Sequence, residues 1–298
     1  MDGGAADIHG VMTRTTVALT LLVLACASAV YAQPLTGDVR TIRVNAGETL
    51  RVLGSRWGID PRILAAANGL APDVRLRAGD TLTIDNRHIL PPLTAGTSIV
   101  VNVPQRMLFV TFDGAIAAYP VAVGRSGWQT PLGTFSIVSR ETNPTWDVPE
   151  SIREEARRAG RALPLKVPPG PDNPLGDYWL GLSVGGIGIH GTNAPTSVYQ
   201  VVTHGCIRMH ADDVADLFGR VQVGARGEIV YEPLLVAAAG GDVFLEAHRD
   251  VYGRGPDDPM RIVDGRAREL GLWERVDWDA AARVLQERAG VARVVTRR

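Results

Sequence analysis

Ser98-Ile99-Val100-Val101-Asn102-Val103, Arg106-Met107-Leu108-Phe109-Val110-Thr111-Phe112 and Ala115-Ile116-Ala117-Ala118-Tyr119-Pro120-Val121-Ala122-Val123 set the architecture of the middle of the chain. Each run is strand-length and rich in β-branched and other apolar residues. Asp113-Gly114 separates the last two, and Asp-Gly suits the positive-φ positions of a tight hairpin turn. Residues 134–138 continue the pattern. The expectation is a β-rich sheet that begins near residue 98.

The pattern changes on the C-terminal side. Residues 141–178 hold Pro144, Pro149, Pro164, Pro168, Pro169, Pro171 and Pro174, with one helical stretch over 151–161. A long irregular excursion in a compact domain is either a functional insertion, such as a lid beside a site, or a surface loop. Residues 240–298 offer a strand over 243–248 and amphipathic helices over 261–270 and 278–289. That extension has no role legible in its residues; packing on the preceding domain is expected over contact with a partner.

On the N-terminal side, residues 41–85 form a compact β-α-α-β pattern. Thr41-Ile42-Arg43-Val44 opens it as a strand, and Leu50, Val52, Leu53 and Trp57 fall on helical spacing. Asp60 and Pro61 start a second helix as N-cap and first helical residue. Asn68-Gly69 stops it, and residues 81–84 alternate as a returning strand. About 45 residues make a marginal core, so tight packing or a neighbour must help. Residues 88–97, with Pro91, Pro92 and Gly96, read as a linker.

Composition narrows the function. The chain has 298 residues, 45% hydrophobic, which suits about two domains with a sizeable core. Lys+Arg total 31 against 32 Asp+Glu, a net charge of -1, which argues against a nucleic-acid partner. Residues 16–30 are uncharged and apolar behind Arg14, and Val30-Tyr31-Ala32 presents small residues where a signal peptidase reads. Such a run is short for a membrane span. Residues 1–32 are therefore expected to be a cleaved secretory signal. An uncleaved anchor and lipidation at Cys26 are the alternatives. With the signal removed, Cys206 is the only cysteine left, so it cannot form an internal disulfide.

The chemistry concentrates in Ile189-His190-Gly191-Thr192-Asn193 and Thr203-His204-Gly205-Cys206-Ile207-Arg208-Met209. A thiol attacks as thiolate, and a nearby imidazole takes the proton. His190 and His204 are both candidates for that base. Glycines at 191 and 205 permit tight turns with exposed backbone N–H groups, which can hold an oxyanion. Alternation puts Arg208 on the same face as Cys206, where a guanidinium can grip a carboxylate bidentately. Each residue also has a bland reading: an inert buried thiol, structural histidines, or an arginine in an internal ion pair. His204, Cys206 and His210 make a poor metal set without a second cysteine. The residues alone leave nucleophile and inert thiol both open.

Residues 41–85 resemble the LysM domain through Ala46-Gly47-Glu48-Thr49-Leu50, Trp57-Gly58-Ile59, Ala67-Asn68-Gly69-Leu70 and Ala78-Gly79-Asp80-Thr81-Leu82. The resemblance implies binding to N-acetylglucosamine-containing glycan, or a module that serves only as a spacer. Residues 98–233 resemble the L,D-transpeptidase catalytic domain, the YkuD family. His190-Gly191, Thr203-His204-Gly205-Cys206-Ile207-Arg208 and the upstream Thr130-Pro131-Leu132-Gly133-Thr134-Phe135 carry that likeness. Asn143-Pro144-Thr145-Trp146 and Gly188-Ile189-His190-Gly191-Thr192-Asn193 narrow it to the enterobacterial type. Tyr199 is a departure, since that subgroup often has Gly there.

These resemblances imply an α+β multidomain chain. It would comprise a βααβ LysM module, a β-sandwich catalytic domain over 98–233 and a mixed extension over 240–298. They imply a thioester acyl-enzyme on Cys206, formed from a peptidoglycan tetrapeptide stem with loss of the terminal D-Ala. His190 would be base and then acid, its ring oriented by the Gly191 carbonyl. Amides around His204, Gly205 and Cys206 would hold the oxyanion, with His204 in support. Arg208, Thr192 and Asn193 would contact substrate, and no metal or other cofactor is expected. The acceptor amine would come from another stem or from an envelope protein. The alternatives are an L,D-carboxypeptidase with water as acceptor and a non-catalytic wall-binding protein. Members of this family are acylated by carbapenems. An exported, periplasmic or cell-envelope location is implied; the oligomeric state is not legible.

Overall fold

The computed structural model describes residues 1, 3 and 34–298. The expected signal, its cleavage site and Cys26 lie outside the described residues. Among those residues, no helix is long and apolar enough to cross a membrane.

The N-terminal module pairs strands β1 (Val39–Arg43) and β2 (Thr81–Asp85) antiparallel. Between them lie helices α1 (Leu50–Trp57) and α2 (Pro61–Ala67). Their limits follow from capping. Thr49 accepts from the Val52 N–H and Asp60 from the Arg62 N–H, which satisfies first-turn donors with no partner inside the helix. Leu50, Leu53, Leu64, Leu82 and Ile84 form the core, and Ala289 and Val291 from the end of the chain complete it. The help that so small a core needs comes from the C-terminal extension.

The central sheet has eight strands: β3 (Ile99–Asn102), β4 (Met107–Phe112), β5 (Ala115–Pro120), β6 (Gly133–Thr142), β7 (Tyr178–Leu182), β8 (Gly188–His190), β9 (Ile207–Arg208) and β10 (Arg226–Val230). Their order across the sheet is β9-β8-β7-β6-β10-β3-β4-β5. The β8–β9 and β10–β3 pairs are parallel. The sheet curls until its edges meet. Just past β5, Ala122 bridges Arg208 of β9 through N–H···O bonds of 2.8 and 3.0 Å. Asp113 and Gly114 both have positive φ in the expected hairpin turn. Ile99–Val101 in β3 and Met107–Val110 in β4 are continuously apolar because both faces are covered there. Ile99, Val101, Leu108 and Val110 face one core, while Val100, Met107 and Phe109 face another with Leu90 and Tyr199. The excursion after β6 carries α3 (Glu150–Arg158), and α4 (Ala211–Arg220) follows β9.

The extension is a hairpin of β11 (Leu234–Ala239) and β12 (Asp242–Ala247), covered by α5 (Pro259–Glu269) and α6 (Trp278–Glu287). It packs against both other regions. Residues expected as linker are part of this junction: His88 and Ile89 pair with Thr36 and Leu35 and are 1% and 0% exposed. The prolines that suggested a linker start only at Pro91. Glu246 of β12 sits at the centre of the junction. Its carboxylate accepts from the Ile89 N–H (2.6 Å) and the Gln105 amide (3.0 Å), and contacts His88 Nδ1 (2.7 Å) and His248 Nε2 (2.8 Å). Burial pushes the Glu246 carboxyl up, but His88 and His248 hold it below the usual carboxylate range.

Candidate active site

The parallel pairing of β8 and β9 brings the two halves of the motif together. It sets His190 opposite Arg208, and β7 sets Trp179 opposite His190. On the far side of β7, Glu141 of β6 is opposite Trp179. The four residues form one rung across four strands, and all four line a single cavity of about 500 Å³ together with Cys206 and His204. The excursion after β6 supplies the facing wall through Pro144, Trp146, Pro149, Ile152, Pro174 and Leu175. That placement supports the insertion reading over a surface loop.

His190 is 5% exposed, and its Nδ1 donates to the Gly191 carbonyl at 2.7 Å. In a neutral ring that bond leaves Nε2 as the acceptor. Burial, then the nearby Arg208 charge, depress its pKa to about 4, although the Gly191 and Leu175 carbonyls oppose the shift. Trp179 stacks on the ring with centroids 6.0 Å apart. Burial pushes the Cys206 thiol up, while the Gly188 amide and the Arg208 charge pull it back. These shifts favour a neutral thiol and a neutral imidazole at the cavity, where Cys206 Sγ donates to the Gly186 carbonyl at 3.7 Å.

Arg208 donates to Ser197 Oγ at 2.8 Å and forms no ion pair among the described residues. Its Nε is buried without a partner, and desolvation lowers its pKa. The internal ion pair considered from sequence is absent there, and a cation so placed suits an anionic ligand. His204 is wired differently. Its Nε2 meets Glu155 of α3 at 2.8 Å and Arg125 at 3.1 Å, and Trp128 lies edge-on at 5.1 Å. His204 thus ties the α3 excursion to the thiol turn.

Other expected residues are placed elsewhere. Thr192 accepts from the Ala194 N–H and Asn193 donates to the Pro171 carbonyl. Neither is among the residues lining the cavity: Thr192 bonds within its own loop, whereas Asn193 reaches Pro171 of the excursion, 22 residues earlier. Gly205 has φ of 107°, which requires glycine, but its N–H already donates to Thr203 Oγ1 at 3.2 Å. His210 lies away from Cys206, with Nε2 bonded to the Ser55 carbonyl at 3.0 Å. Tyr199 has φ of 63°, which explains why glycine suits the position. Its ring is buried beneath the Arg106 guanidinium at 4.0 Å, packing that offsets the left-handed backbone. Sequence reasoning missed Glu155, Arg125 and Trp179. Only the tryptophan carried a signal, as a large aromatic eleven residues before His190 in an apolar run.

Comparison with known proteins identifies the family. Residues 96–230 match the family model for the L,D-transpeptidase catalytic domain, YkuD, and residues 42–85 match the LysM domain. The probable L,D-transpeptidase YcfS of Escherichia coli is 33% identical over 226 residues, 73% of this chain and 70% of the relative. The probable L,D-transpeptidase ErfK/SrfK of the same organism is 32% identical over 270 residues, 86% of each chain. Likeness at that level across the length of both proteins, with the curled sheet and the His190, Cys206 and Arg208 arrangement, leads to one conclusion: the chain belongs to the L,D-transpeptidase family and carries an N-terminal LysM domain.

Proposed function

We propose that the protein is an exported peptidoglycan L,D-transpeptidase working through a cysteine acyl-enzyme. The observation that carries the reading is the single cavity in which a neutral, carbonyl-oriented His190, the Cys206 thiol and the unpaired Arg208 meet. Cys206 Sγ attacks the carbonyl that precedes the terminal D-Ala of a tetrapeptide stem and passes its proton to His190 Nε2. The tetrahedral intermediate collapses to a thioester as His190 protonates the departing D-Ala amine. An acceptor amine then attacks the thioester, gives its proton to His190, and Sγ regains it. Arg208 holds a stem carboxylate, and the LysM module keeps the enzyme on the glycan.

The test is mass spectrometry of a tetrapeptide muropeptide incubated with purified enzyme, with and without an acceptor amine. Cross-linked product lighter by one D-Ala supports transpeptidation. Tripeptide alone in both incubations identifies water as the acceptor. Unchanged substrate in both would leave only the wall-binding reading.

A further inference from the structure

We propose that Tyr252, contributed by the C-terminal extension, is a positioning residue that aims the Cys206 backbone N–H as an oxyanion donor. The inference rests on the reading that Cys206 attacks a carbonyl. Its basis is a closed hydrogen-bond ring beneath the thiol turn. Tyr252 Oη donates to the Gly124 carbonyl at 2.6 Å and accepts from the Thr130 N–H at 3.0 Å. Thr130 Oγ1 accepts from the Gly124 N–H at 2.9 Å and donates to the Gly205 carbonyl at 2.9 Å. Tyr252 and Thr130 are 9% and 1% exposed, so water competes little for these bonds.

The Gly205 carbonyl and the Cys206 N–H belong to one planar trans peptide and point in opposite directions. Drawing that carbonyl down onto buried Thr130 turns the Cys206 N–H the other way, toward the thiol's side of the turn. The left-handed φ of Gly205 permits this orientation. Tyr252 keeps it fixed because its own position is over-determined. Its ring stacks on Tyr231 at 5.7 Å, its N–H donates to Tyr231 Oη at 2.8 Å, and Arg254 two residues on bonds Gln129 at 2.5 Å. The amide of Gly205 is engaged by Thr203, which places more weight on that of Cys206. The extension therefore completes the active site from below without touching substrate.

The experiment compares two reactions of the same thiol in the full-length protein. Acylation by a carbapenem passes through an oxyanion; alkylation by iodoacetamide displaces iodide and forms none. Tyr252→Phe keeps the ring and removes the hydroxyl. Thr130→Val removes the relay, and Thr130→Ser restores it. Outright loss of an oxyanion donor costs about 10²–10³ in rate, so a misaimed donor should cost about 10- to 100-fold. Tyr252→Phe and Thr130→Val should slow acylation by that factor while alkylation is unchanged, and Thr130→Ser should acylate near the wild-type rate. Wild-type acylation in Tyr252→Phe overturns the proposal, and so does an equal fall in both reactions, which would mark general damage to the turn. Should Tyr252→Phe fail to fold, the two Thr130 variants decide by the same criteria. A wild-type protein that is alkylated but never acylated overturns the acyl-enzyme reading itself.

Discussion

Two polar clusters in this molecule both set histidine beside a charged group, to opposite ends. At the junction, the Glu246 carboxylate is wholly buried and engages His88, Gln105, His248 and the Ile89 amide. In the cavity, His190 spends one nitrogen on the Gly191 carbonyl, and Arg208 meets only a serine hydroxyl. The junction satisfies its charge internally, so it holds three regions of chain together. The cavity leaves its charge and its acceptor nitrogen to be met by a ligand. Unpartnered buried nitrogens occur in both places, at His88 Nε2 and His248 Nδ1 as well as at Arg208 Nε, so charge separates the two: the junction carboxylate is saturated, whereas the cavity cation meets no anion among the described residues.

Variants can break that contrast. The largest effects belong to the thiol and its base. Cys206→Ser should abolish acylation with the melting temperature unchanged, and His190→Ala should slow turnover by about 10²–10⁴-fold. Because His190 is depressed to about 4, its ring is neutral at pH values well above that. The acid limb of the rate should fall near 4, not near the ordinary histidine value, and vanish in His190→Ala. The same shift favours the neutral fold, so His190 contributes stability above the unfolded value that is lost as pH drops toward 4.

Next comes Glu246→Ala. Removing one side of a buried ionic cluster strands its partners and should destabilise the protein by about 3–5 kcal/mol. Urea titration measures this, and activity per folded molecule should persist. Arg208→Lys should be the reverse. It keeps the charge but loses the fork, so kcat/KM should fall roughly 10- to 100-fold, as a charge-assisted bond worth about 1.5–3 kcal/mol implies. The melting temperature should not fall, since no ion pair is broken. A donor amidated at its free carboxylate should show the same loss in wild-type enzyme. The smallest effect is expected from Glu155→Gln. Its pairs with Arg125 and His204 are well exposed, so KM should rise about five-fold at most. A large loss of stability there would mean that α3 is structural and not merely tethered over the cavity.

The cavity was legible in sequence to the extent that its residues are close in the chain. Residues 188–209 fold onto themselves through one parallel pair, so His190, Cys206 and Arg208 could be read together. Strand character was equally clear in 98–123, where the Asp-Gly turn fixes the register. What escaped lies far away in sequence. Glu155 reaches His204 across 49 residues, and Tyr252 reaches Gly124 across 128. Nothing local separates Glu155 from Glu154 or Glu150 on the same helix. His88 read as linker because nearby Pro91 and Pro92 dominate the local pattern, while its partner, Glu246, comes 158 residues later. Glycine at 205 signals a turn, but the occupant of its amide depends on Thr203, whose side-chain direction a motif does not encode.

The central claim is that Cys206 carries the acyl group while His190 moves the proton. Intact-protein mass spectrometry during a single turnover with a tetrapeptide donor and no acceptor amine tests it most directly. The account predicts a transient adduct with the mass of the donor less D-Ala, mapped by proteolysis to the peptide containing Cys206 and absent in Cys206→Ser. Release of D-Ala at the normal rate by Cys206→Ser, or an adduct on any other residue, would contradict it.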